Sequence, residues 1–135
     1  MKKYAVLLLI VLFLAGCQAA EDKKTDKVKA DAPVLELEAT RLAADYAENE
    51  AAADDKYKGK IVAVKGKIYQ MGKDPLGQPF IVIGGRAFGH GGVQCVFARG
   101  KDDSLAALAK GKEVRVQGKV SGKVVFVRVE DSSLQ

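Results

Sequence analysis

A chain of 135 residues has room for one domain and its attachments, and a hydrophobic share of 48% is enough for a packed core. Length and composition therefore exclude a multidomain assembly and a wholly disordered polyelectrolyte. The net charge of +5 is unevenly placed: residues 31–55 hold one basic residue against eight acids, and residues 56–135 hold fifteen against six. Such asymmetry points to an anionic ligand on the basic part, or to attraction between the two parts.

Met1 to Gly16 reads as a signal peptide: Lys2 and Lys3, the apolar run Tyr4 to Leu14, then small residues. The run is too short to span a bilayer as a permanent helix. Leu14-Ala15-Gly16-Cys17 resembles the bacterial lipobox, whose cysteine is diacylated, freed by the lipoprotein signal peptidase and acylated again. That resemblance implies lipidation at Cys17 and a membrane partner; an ordinary secretory signal with a chance cysteine is the rival reading. Gln18 stands where Asp would be the usual inner-membrane retention signal in enterobacteria. The expected location is the bacterial envelope, anchored in the outer membrane and facing the periplasm where the cell has one. Residues 17–34 are mostly Lys, Asp and Ala, with one Thr and little to bury, and read as a tether. About fifteen such residues reach roughly 20 Å, so the domain, residues 35–135, hangs off the membrane rather than lying in it.

Leu35, Ala39, Leu42, Tyr46, Asn49 and Ala53 recur at alternating four and three residues, with the acids mostly elsewhere. This predicts one amphipathic helix over about 38–55, its start uncertain because Val34 to Leu37 also suit an extended segment. The thin stripe needs a surface to lean on, either the chain's own barrel or a partner.

The stretch from Ile61 to Met71 alternates, with Val62, Val64, Gly66 and Ile68 on one face and Ala63, Lys65, Lys67 and Tyr69 on the other. Gly66 in mid-strand predicts a bulge or sharp bend. Gly59-Lys-Ile-Val-Ala-Val-Lys-Gly-Lys-Ile68 reads G-K-x-V-x-V-x-G-K-[IV], and Gly111 to Val120 repeats it. Gly72 to Gln78 is a turn by composition, Phe80 to Ile83 a strand apolar on both faces, and Gly84 to Gly92 a glycine-rich loop. A third strand covers Val93 to Phe97 with Val93, Cys95 and Phe97 inward. A short helix follows over Asp102 to Ala109, capped by Asp102 or Asp103. The fourth strand runs from Glu113 to Val120, Ser121-Gly122 turns the chain, and the fifth runs from Lys123 to Glu130. The fold class is mainly β with α. The order β-β-β-α-β-β is that of the five-stranded Greek-key OB-fold barrel, here preceded by the amphipathic helix.

Asn49-Glu50, Ala52-Ala53-Asp54, Lys56 to Lys60 and V-x-V-x-G from Val62 to Gly66 together resemble the tRNA_anti-like family of bacterial OB-fold proteins. So do Val93-x-Cys95-x-Phe97, Leu108 ahead of Gly111, and V-x-V-x-G from Val114 to Gly118. The likeness covers about residues 37–134 and implies the fold and nucleic-acid binding, not an activity. Many members of that family carry a cysteine pair near positions 120 and 132, which are Val120 and Ser132 in this chain, so the resemblance implies that a disulfide closing the last hairpin is absent here.

With Cys17 lipidated, Cys95 is the one thiol left, and the inward register makes it a small core residue rather than a reactive group. His90 is the single histidine. No set of ligands or activated nucleophile accompanies it, so neither metal, cofactor nor catalytic role is expected and the chain reads as a non-enzyme. Gly84 to Gly92 lacks the phosphate-loop pattern and reads as a barrel rim, on which Arg86, Phe88 and His90 are candidate ligand contacts. Lys65, Lys67 and Tyr69 share the outward face of the first strand, and Arg115, Gln117 and Lys119 that of the fourth. Charge interleaved with a ring suits a single-stranded polymer; the same lysines equally suit a solvated sheet.

Two functions follow. One is a tethered binding module holding an anionic polymer, an oligonucleotide or acidic glycan, on the basic face. The other is a non-enzymatic interaction lipoprotein docking another envelope protein through the helix or a barrel edge. Oligomeric state is not legible.

Overall fold

The computed structural model describes residues 33–85 and 91–135. The signal peptide, Cys17, most of the tether, and Arg86, Phe88 and His90 lie outside the described residues. In chain order the elements are β1 (Leu35–Glu38), α1 (Ala39–Glu48), α2 (Glu50–Tyr57), β2 (Ile61–Lys73), β3 (Pro79–Ile83), β4 (Val93–Val96), α3 (Asp102–Ala106), β5 (Glu113–Lys123) and β6 (Val127–Leu134). The sheet runs β1-β2-β3-β4-β6-β5 and closes through a β2–β5 pairing, so β2 to β6 form the five-stranded OB-fold barrel. β2 is long enough to serve both halves: Ile61–Lys67 pair with β5, and Ile68–Lys73 pair with β3.

Inward positions obey the period of two. Val62, Val64 and Ile68 of β2 face Ile81 and Ile83 of β3, Val93 and Cys95 of β4, Val116 and Val120 of β5, and Val127 and Val129 of β6 in one buried cluster. Cys95 is buried at the centre of β4, opposite Ile81 and Val129, and burial drives its thiol pKa well above the ordinary value. Cys95→Ala is expected to lose about 1 kcal/mol, the cost of a small void. The native thiol should resist labelling; fast labelling in the folded state would show the inward register of β4 to be wrong.

Several features differ from the sequence expectation, among them the third helix, which ends at Ala106 and not Ala109, and the last strand, which runs from Val127 to Leu134 and not from Lys123 to Glu130. The single helix is two, because Asn49 is extended (φ −154°, ψ 99°) and its side-chain oxygen accepts the Ala52 N–H at 3.1 Å as the cap of α2. The bulge falls at Tyr69 and not Gly66: Ile68 pairs with Ile83 and Gln70 with Val82, leaving Tyr69 between them. Gly66 instead allows a close approach, since a Cβ there would stand 3.2 Å from both the Ala39 Cβ and the Gly84 nitrogen. The last hairpin turns at residues 124–126 rather than at Ser121-Gly122. A second register shift inside β5 leaves Ser121 between Val120 opposite Val129 and Gly122 opposite Arg128, with Gly122 at φ +123°, so the strand continues to Lys123, which pairs with Val127. In α3, Asp102 and Asp103 occupy the first turn rather than the cap, and Asp102 meets Lys73 at 2.7 Å.

Ala39, Leu42, Ala43 and Tyr46 of α1 and Ala53 and Tyr57 of α2 belong to the barrel core. α1 packs on β2, β4 and β6, and α2 on β5. The two helices are joined by their own polar pairs. Tyr46 donates its hydroxyl hydrogen bond to Asp54 at 2.8 Å, Tyr57 donates to Asp45 at 2.5 Å, and the two rings stack at 6.3 Å. The Tyr57 hydroxyl, with Lys56 and Arg41, holds the Asp45 carboxyl below its ordinary range. That contribution is complete above the unfolded carboxylate pKa and fades only as pH falls through the lowered folded value.

Candidate ligand-binding face

The outward residues of β2 and β5 form a ladder: Lys119 opposite Ile61, Gln117 opposite Ala63, Arg115 opposite Lys65, Glu113 opposite Lys67. On the other side of β2 lies β1, parallel, with Glu36 beside Ala63 and Glu38 beside Lys65. The face therefore alternates in sign. Lys65 meets Glu113 at 3.1 Å, which raises the lysine pKa, and Arg115 meets Glu36. β1 thus lays two carboxylates over the predicted basic face. Its signal was present, because Leu35-Glu36-Leu37-Glu38 alternates apolar and acidic, but four residues are short for a strand beside a helix start. A surface hollow of about 470 Å³ opens between Lys65, Lys112, Arg115 and Leu134 and is bordered by Glu113.

The outer side of β3 and β4 is differently occupied. One row crosses four strands: Gln70, Val82, Gln94 and Arg128. Val82 is fully buried there, under Gly92 and close to the Phe126 ring. The Arg128 guanidinium meets Asp74 at 3.4 Å and Glu130 at 3.0 Å. Asp74 also accepts the backbone N–H groups of Leu76 and Gln78, both at 2.9 Å. The Gln78 N–H above all, then the Leu76 N–H and Arg128, keep its carboxyl below the usual range. The β2–β3 turn is thereby strapped to β6 across this side. Phe80 is half-exposed, its ring lying over Gly72.

Between these two faces is the bend of β2. The bulge turns Tyr69 out, half-exposed, with its ring against the Gly85 backbone. Lys67 and Gln70 flank it, both exposed, and Lys67 has no ion-pair partner among the described residues. Gly85 and Gly91 are the described ends of the loop whose interior carries Arg86, Phe88 and His90. The structure so divides the eight predicted ligand contacts. Lys67 and Tyr69 stand together at the bend, Lys65 and Arg115 are paired with carboxylates, and Lys119 is exposed at the far end of the β2–β5 ladder. Arg86, Phe88 and His90 lie outside the described residues. Among the described residues no three His, Cys, Asp or Glu side chains come together as a metal site.

A sequence profile described as tRNA_anti-like matches residues 1–131. No curated protein gives a significant match. Among solved structures, a "putative nucleic acid-binding lipoprotein" from Klebsiella pneumoniae subsp. pneumoniae is similar at 18% identity and a TM-score of 0.59, over 82% of this chain and 97% of that one. At that identity the likeness speaks for the fold. Entamoeba histolytica asparaginyl-tRNA synthetase is similar over 76% of this chain and 23% of that one, at 16% identity and a TM-score of 0.46. A tRNA fluorescent labeling enzyme is similar over 52% of this chain and 16% of that one, at 19% identity and a TM-score of 0.39.

Proposed function

The chain belongs to the tRNA_anti-like family, and from that premise we propose that it is a binding module of the bacterial envelope, not an enzyme, which holds a single-stranded anionic polymer at the bend of β2. The observation that carries the reading is the bulge that presents Tyr69 between Lys67 and Gln70, the one aromatic of the outward β2 positions beside a cation with no described partner. A base stacks on the ring, the ammonium offsets a phosphate, and the amide of Gln70 bonds a base edge or sugar. Each is a contact that tolerates sequence, as non-specific single-strand binding requires. Lipidation at Cys17, suggested by the Leu14 to Cys17 lipobox and in keeping with the name of the Klebsiella neighbour, ties the module to a membrane. Gln18 favours the outer membrane, with the barrel in the periplasm.

Fluorescence anisotropy with a labelled oligothymidylate tests this. Binding should weaken steeply with salt, with a log–log slope of about −0.7 per phosphate neutralised. Tyr69→Ala should weaken it about 5- to 150-fold, the range of one lost stacking contact. Lys67→Ala should flatten the salt slope by about one phosphate's share. Competition by an acidic polysaccharide at equal charge concentration would assign the site to glycans in place of nucleic acid. No salt-dependent binding to either polymer would overturn the reading.

A further inference from the structure

Four large hydrophobic side chains are exposed among the described residues, and two of them are adjacent on the hairpin tip that leaves one end of the barrel: Val124 (89%) and Val125 (70%). The register brings them there. β1 starts beside β2, with Leu35 opposite Val62, and β5 runs antiparallel past that start, with Lys119 opposite Ile61. β5 then continues through Lys123 to the hairpin tip at 124–126, roughly 15 Å of strand beyond. The tip thus projects past the end at which the described chain enters the barrel, beyond the starts of β1 and β2. Two adjacent aliphatic side chains on a turn that favours Gly, Asn or Asp need a reason.

Lysines surround the base of this hairpin. Lys123 precedes the tip, and Lys119 is exposed on the same strand. The segment joining α2 to β2 pairs with it: Gly59 N–H donates to the Val120 carbonyl at 2.8 Å, and Val120 N–H donates to the Lys60 carbonyl at 3.0 Å. A Cβ on Gly122 would stand 3.8 Å from the Lys58 ammonium. Lys58 is offset by Asp54 at 3.7 Å, and Glu130 opposite Lys119 is engaged by Arg128, so the end keeps a positive balance.

We propose that this end is a docking surface for an anionic phospholipid bilayer, with Val124 and Val125 entering the headgroup region while Lys58, Lys60, Lys119 and Lys123 meet lipid phosphates. Valine has no π face on which a base could stack, whereas a bilayer removes both side chains from water. Juxtamembrane lysines are drawn to an anionic leaflet. The orientation rests on the anchoring at Cys17 proposed above: a lipid there, with a tether of roughly 20 Å r.m.s. reach, holds the entry end close to the membrane. The bend at Tyr69 is the hairpin's neighbour across the loop stem, since Gly92 lies between the Phe126 ring and Gly85, and Gly85 lies against the Tyr69 ring, so the polymer and bilayer sites are adjacent and the experiment has to separate them.

The test uses a lipid-free chain of residues 18–135, which keeps every described core residue, in co-sedimentation with large vesicles. Vesicles containing phosphatidylglycerol should retain it and pure phosphatidylcholine should retain it far less. Val124→Asp with Val125→Asp should lower retention by about tenfold or more while the melting temperature holds, because both side chains are exposed. Lys119→Ala and Lys123→Ala should each lower it by about fivefold. Equal retention on both vesicle types, or unchanged retention of the double valine variant, would overturn the proposal. So would a double valine variant that loses oligonucleotide binding and keeps vesicle binding, since the tip would then belong to the polymer site. Failure of the lipid-free chain to sediment counts against docking alone. The anchor is addressed by cell fractionation of Cys17→Ser.

Discussion

Leu42→Ala is expected to destabilise the fold by about 2–5 kcal/mol, the cost of a large-to-small change where the surroundings cannot collapse. Leu42 is fully buried on the face of α1 that also carries Ala39, Ala43 and Tyr46, and those neighbours are themselves held in the barrel core. In a chain whose described part is about 100 residues, that loss should lower the melting temperature by roughly 10–25 °C. Charge offers little to replace it. The acids of the helical segment find partners mainly within it: Asp45 with Arg41 and Lys56, and Asp54 with Lys58. The ion pair shown from residues 33–55 to the barrel strands is Glu36–Arg115, both exposed, and such a pair contributes about 0–1 kcal/mol. Thermal melts at low and high salt should therefore differ far less than Leu42→Ala differs from the wild type. A Leu42→Ala protein melting within a degree or two of the wild type would show that the helices do not hold the barrel shut.

The stripe that identified this helix was legible because burial writes a period of 3.6 into a sequence, as it wrote a period of two into β2 and β5. The inward set Val62, Val64, Ile68, Val93, Cys95 and Phe97 follows from alternation alone, and all six are buried. What alternation cannot supply is pairing between distant segments. That Lys65 and Arg115 would meet Glu113 and Glu36 depends on two strand registers joining residues far apart in the chain. A basic face and a charge-balanced face look the same until β1 is put in place. Boundaries failed for a related reason. Asn49 fits the spacing of the stripe, yet its side chain takes a backbone N–H and ends one helix to begin another. Ser121-Gly122 has turn composition, yet the strand absorbs Ser121 as a bulge, keeps Gly122 paired with Arg128 and turns at two valines that no turn preference suggests.

The repeat G-K-x-V-x-V-x-G-K makes a sharper test, because its glycines look equivalent in sequence and are not in space. The leading pair is alike: Gly59 and Gly111 adopt φ +79° and +84° ahead of β2 and β5, with open space where a Cβ would go. Alanine at either should cost only the left-handed backbone, about 1 kcal/mol. The trailing pair diverges. At Gly66 a Cβ would meet the Ala39 Cβ and the Gly84 nitrogen at 3.2 Å, a contact that small shifts of α1 and the loop can relieve. At Gly118 it would stand 2.6 Å from Val129 Cγ1 and 2.7 Å from the Glu130 carbonyl oxygen, with the Ser132 hydroxyl at 3.1 Å. Gly118 lies where β5 slips register against β6, between Gln117 opposite Ser133 and Lys119 opposite Glu130. The obstructing oxygen is backbone on the paired strand, so relief requires moving the β5–β6 ladder and the buried Ser132 bond to the Val129 carbonyl with it. Gly118→Ala is therefore expected to cost about 3 kcal/mol, the upper part of the range for overpacking, and Gly66→Ala visibly less. Denaturant titration of Gly59→Ala, Gly66→Ala, Gly111→Ala and Gly118→Ala in parallel gives the order directly. If Gly118→Ala is no worse than Gly111→Ala, the register shift in β5 is not where the barrel's two halves are fitted together, and the tight crossing at Gly118 would have to be abandoned.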